Sequence, residues 1–80
     1  MPYVAYILEC ADGSLYAGST NNLEKRLHQH NHSKQGAHYT KIRRPVVLKY
    51  SETFSSLKEA RAREVELKRL PRAKKIALFT

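Results

Sequence analysis

Two runs, YVAYILEC (residues 3–10) and SLYAGS (14–19), are separated only by Ala11-Asp12-Gly13, and this closeness constrains the chain more than any other feature. Both runs are rich in β-branched and aromatic residues and predict strands. So short a connection joins them as an antiparallel hairpin. Its length decides which residues meet. A two-residue loop at Asp12-Gly13 pairs Glu9 with Tyr16 and sends Tyr6 and Tyr16 to opposite faces. A three-residue loop pairs Leu8 with Tyr16 and Tyr6 with Gly18. The longer form wants glycine in the left-handed position that closes the turn, where Gly13 stands. It is the favoured form, and it puts both phenols on one face.

After the hairpin, Asn21 or Asn22 predicts the cap of a first helix, with Leu23 and Leu27 as its apolar stripe. Arg26 and His30 border that stripe one turn apart, whereas Lys25 and His28 point elsewhere. Residues 33–44, SKQGAHYTKIRR, read as a polar basic loop that Pro45 ends. VVLKY (46–50) predicts a third strand. Ser56 and Glu59 have capping-box spacing and start a second helix. Pro71 breaks it and suits the first turn of a third, over residues 72–78. The order β-β-α-β-α-α predicts an α+β fold: one domain over residues 1–80, with a small, mainly antiparallel three-stranded sheet flanked by helices.

Charge narrows the partners. The 80 residues carry a formal charge of +8. Residues 1–32 sum to −1, and residues 33–80 set thirteen Lys or Arg against Glu52, Glu59, Glu64 and Glu66, a net +9. Such an excess attracts polyanions, nucleic acid above all. No segment approaches the apolar length that spans a bilayer, and the N-terminus lacks the positive region of a secretory signal. A single cysteine, Cys10, excludes an internal disulfide and fits a reducing cytoplasm.

Glu64 is the most informative carboxylate. The second helix predicts a stripe of Leu57, Ala60 and Leu67, and Glu64 falls inside it. A carboxylate there needs a cation or hydrogen bonds. The plain explanation is an intrahelical ion pair with Arg61 or Lys68; the functional one is a Mg²⁺ ligand. Tyr6 and Tyr16 are ordinary strand residues unless both hydroxyls reach one site, where a phenol orients or deprotonates a water. Arg26 is a solvated helix charge or a phosphate fork. His30 is a surface histidine or a catalytic one. His28 and His32 have i, i+4 spacing, a weak metal signal without further ligands. The segment with Lys34, Lys41, Arg43, Arg44 and Lys49, interleaved with His38 and Tyr39, holds charge of one sign and points to nucleic-acid contact.

Together these residues resemble the GIY-YIG nuclease family from Tyr3 to about Leu70, and are most similar to small bacterial proteins made of one such domain. The half-motifs align with Val4-Ala5-Tyr6 and Tyr16-Ala17-Gly18. In LEKRLHQH the family's arginine falls on Arg26 and its histidine on His30; its metal-binding glutamate falls on Glu64. The resemblance implies a Mg²⁺- or Mn²⁺-dependent endonuclease that hydrolyses DNA, branched or single-stranded forms included, with repair or recombination as the process; RNA stays open as a partner. Tyr6, Tyr16, Arg26 and His30 would be catalytic. The basic loop and the last helices, with Lys68 and Arg69, would track the backbone. Many catalytic members have an asparagine after the glutamate, and this chain has none after Asn31. The alternative is a nucleic-acid-binding module of the same fold without catalysis.

Overall fold

In the computed structural model, residues 2–32 and 38–80 are described, excepting the His38 side chain. Candidate Lys34 lies outside them. The elements are β1 (Tyr3–Glu9), β2 (Leu15–Thr20), α1 (Leu23–His32), α2 (His38–Lys41), β3 (Val47–Phe54), α3 (Leu57–Arg69) and α4 (Arg72–Ala77). The sheet is antiparallel with order β2-β1-β3. The α+β expectation holds. Within the segment expected to be wholly a loop, residues 38–41 are helical.

The hairpin takes the three-residue form. Tyr6 pairs with Gly18 and Leu8 with Tyr16. Cys10 N donates to the Ser14 carbonyl at 2.8 Å, and Gly13 sits at φ 85°. That positive φ needs a residue without Cβ strain, so glycine is the natural occupant.

Alternation then divides the core into two layers. Ala5, Ile7 and Ala17 face Leu67, with Phe54, Leu70, Leu78 and Phe79 packed around them. Tyr6, Leu8, Cys10 and Val46 face the other way, where Tyr16 and the predicted stripe of Leu23 and Leu27 cover them. α1 therefore lies on one face of the sheet and α3 on the other. The third strand runs four residues beyond the expected end at Tyr50. A bulge explains how it serves both layers. Ile7 pairs with Tyr50, but Leu8 pairs with Leu48, so Lys49 is extra and the side-chain alternation flips there. Leu48 joins the α1 layer, and Tyr50 and Phe54 join the α3 layer.

Local chemistry sets the helix ends. Asn22 Oδ1 accepts from Lys25 N at 3.1 Å, which resolves the choice of first cap. Ser56 Oγ accepts from Glu59 N at 3.2 Å and starts α3. Pro71 is the residue before α4 rather than its first, with ψ at 154°, and its carbonyl receives Lys74 N and Lys75 N.

Candidate active site

Gly18 positions the first phenol. A Cβ there would lie 2.5 Å from the Tyr6 hydroxyl oxygen and 2.6 Å from its Cζ. The Tyr6 ring thus crosses the strand beside it through space that only glycine leaves open. Tyr6 is 1% exposed, and its hydroxyl is 2.8 Å from His30 Nε2. His30 is fully buried, with Nδ1 2.8 Å from Thr40 Oγ1. The border position expected for this histidine is corrected: it is in the core, because two hydroxyls satisfy both ring nitrogens.

Half-buried Tyr16 sets its ring edge-on to His30 at 5.2 Å and stacks on Tyr39 at 5.9 Å. Both tyrosines therefore meet the same imidazole. Arg26 is half-buried one turn before His30, and its Nη1 donates to Gln29 Oε1 at 3.1 Å.

Burial shapes the proton affinities. Desolvation, with the Tyr16 and Glu64 charges adding to it, outweighs the Arg26 hydrogen bond and pushes Tyr6 up to about 12. Desolvation, then the charges of Arg26 and Arg44, pushes His30 down to about 4. At neutral pH Tyr6 keeps its proton and His30 is uncharged, with one nitrogen open as an acceptor.

Glu64 comes from the opposite face. Its Oε1 accepts from Ser19 Oγ at 2.5 Å, and its Oε2 pairs with Lys68 Nζ at 2.7 Å. Ser19 belongs to β2, an edge strand, so the carboxylate lies at the sheet's edge. Burial opposes its ionisation. Hydrogen bonds from Lys68 and Ser19 and the charges of Lys68 and Arg61 outweigh that and hold it below the usual carboxylate range. The ion pair read as the plain explanation is present.

The metal question turns on this donor set. Among the described residues no three His, Cys, Asp or Glu side chains gather to hold an ion. A hard cation that keeps most of its waters and takes phosphate oxygens needs only one or two protein carboxylates, and ionised Glu64 beside a hydroxyl fits that chemistry. The His28 and His32 rings lie tilted to each other at 4.8 Å on the exposed side of α1, and among the described residues no further ligands of a closed zinc site join them.

The basic candidates divide. Arg44 donates from Nε to the His30 carbonyl and from Nη2 to the Gln29 carbonyl at 3.1 Å, so it ties down the last turn of α1. Arg43 bonds Asp12 at 3.1 Å and lies 3.9 Å over the Tyr39 ring. Tyr39, Lys49 and Arg69 are exposed, and Lys41 is half-buried.

Residues 2–77 match the GIY-YIG catalytic domain. The chain belongs to the GIY-YIG family. A UPF0213 protein of Staphylococcus saprophyticus is 52% identical over 94% of this chain and 90% of its own. One from Halobacterium salinarum is 46% identical, over 92% and 95%. A solution structure of a UPF0213 protein from Bacillus halodurans is 44% identical with a TM-score of 0.60, covering 98% of this chain and 82% of that one. Another, from E. faecalis, is 38% identical with a TM-score of 0.63, covering 98% and 83%. For this GIY-YIG domain, sequence reading missed Ser19 and Thr40. Ser19 was legible in principle, since strand alternation puts it on the α3 face. Thr40 lacked a periodic signal.

Proposed function

We propose that this GIY-YIG domain is an endonuclease that hydrolyses DNA phosphodiester bonds with Mg²⁺ or Mn²⁺. The observation that carries it is the hydrogen bond between the Tyr6 hydroxyl and a buried, neutral His30, with Arg26 beside both. A high phenol pKa opposes a free phenolate. A phenol bonded to an acceptor imidazole can instead take a proton from water while passing its own to Nε2. DNA favours that transfer, because phosphate oxygens offset the Arg26 charge that disfavours the imidazolium.

Arg26 holds the scissile phosphate and stabilises charge developing on it. Tyr16, half-buried, orients the attacking water. Glu64 would hold the metal in place of its Lys68 partner, and the metal would supply charge neutralisation for phosphodiester hydrolysis. Tyr39, Lys41, Arg43 and Arg69 follow the backbone. DNA repair or recombination is the process this activity would serve, in the cytoplasm.

The test is incubation of wild type and Glu64→Ala with labelled single-stranded, duplex and branched DNA, with either ion. Wild type is expected to cut at least one form, and Glu64→Ala to bind it without cutting. Equal cutting by both rejects Glu64 as the metal ligand. A second reading, a binding module without catalysis, is favoured by the Glu64–Lys68 pair, which accounts for the carboxylate structurally. It predicts salt-sensitive binding by both proteins and cutting by neither.

A further inference from the structure

Thr40 is a buried hydroxyl that none of the steps above uses. It is fully buried in α2, and Oγ1 sits 2.8 Å from His30 Nδ1. Tyr6 faces the other ring nitrogen at the same distance. A neutral imidazole has one N–H and one lone pair, so the two contacts are linked: if one nitrogen donates, the other accepts. A phenol is a stronger hydrogen-bond donor than an aliphatic hydroxyl, so of the two groups facing the ring Tyr6 is the one to donate. A donating phenol needs a bare Nε2, and Nδ1 must then carry the proton and have an acceptor. The threonine hydroxyl is that acceptor.

We propose that Thr40 is a positioning residue: its hydroxyl receives Nδ1–H of His30 and so turns the Nε2 lone pair towards Tyr6. The inference rests on reading Tyr6 and His30 as a proton chain, but the tautomer is measurable without catalysis. A methyl in place of the hydroxyl keeps the side chain's shape and leaves the N–H form without a partner.

Nitrogen NMR of the full chain labelled at histidine, at neutral pH without DNA or metal, reads the tautomer directly. Wild type and Thr40→Ser are expected to hold the proton on Nδ1, and Thr40→Val to shift it to Nε2 or to a mixture. A wild-type His30 protonated on Nε2, or a valine variant with an unchanged tautomer, overturns the proposal. If the valine variant does not fold, the wild-type tautomer decides alone. In single-turnover cleavage Thr40→Val is expected to lose roughly tenfold or more with DNA binding unchanged, and Thr40→Ser to recover most of it. Equal rates for valine and wild type also overturn it. A wild type that cuts nothing defeats the nuclease reading, while the tautomer still decides the role of Thr40.

Discussion

At the residue scale the site is a contest between burial and hydrogen bonding. Tyr6 and His30 are both in the core, and each would be costly there without the other. Gly18→Ala should therefore destabilise the fold by about 1–3 kcal/mol in urea denaturation, because the added Cβ drives the Tyr6 ring off its histidine. His30 also makes stability depend on pH. Its folded pKa, about 4, lies below the ordinary 6.5, so the unfolded chain binds the proton more readily. Its contribution is complete above about pH 6.5 and is lost as pH falls through 6.5 towards 4. Calorimetry should show a lower Tm over that window, worth roughly 3 kcal/mol, and a smaller drop in His30→Asn. Glu64, with a lowered carboxylate pKa, loses stability in the same direction and should still do so in that variant. The tyrosine pair was legible in the sequence because strand period and a glycine turn are local rules. The burial of His30 was not, because the hydroxyls that make it affordable come from residues 24 positions before it and 10 after.

Elements matter through how they are tied together. Asn31 joins α1 to the approach to β3: its Nδ2 donates to the Val46 carbonyl at 3.1 Å and its Oδ1 accepts from Val46 N at 2.7 Å. The side chain imitates one rung of a strand ladder. Asn31→Asp keeps the acceptor but turns a carboxylate oxygen on the carbonyl, so it should cost about 1–3 kcal/mol, read as a lower urea midpoint. The helix start at Ser56 was readable from capping chemistry, and the earlier one to within the pair Asn21 and Asn22. The end of β3 was not, because the bulge at Lys49 breaks the alternation from which strands are read, and α2 is too short to carry a helical period. The arginines of the basic segment show the same limit. Charge alone cannot tell Arg44, which is bound to two helix carbonyls, from Lys41 or Arg69.

On the scale of the whole molecule, the proposed site draws its groups from both faces of the sheet. Tyr6, Tyr16, Arg26 and His30 belong to the α1 layer; Glu64 reaches the edge from the α3 layer through Ser19. The chain carries a net charge of +8. DNA affinity should fall linearly on a log–log plot against salt, and replacing Lys41 or Arg69 by alanine should each reduce the slope by about one. Arg44→Met should instead lower stability. No helix of the described residues is long and apolar enough to cross a membrane. The central claim, that groups from both faces act as one site, is tested most directly by single-turnover cleavage with Tyr6→Phe, Glu64→Gln and the double variant in Mg²⁺. The account predicts that each single change removes most of the rate and that the double is no slower than the worse single, as for residues that act as a unit. Losses that multiply, or a Tyr6→Phe protein that cuts like wild type, would contradict it.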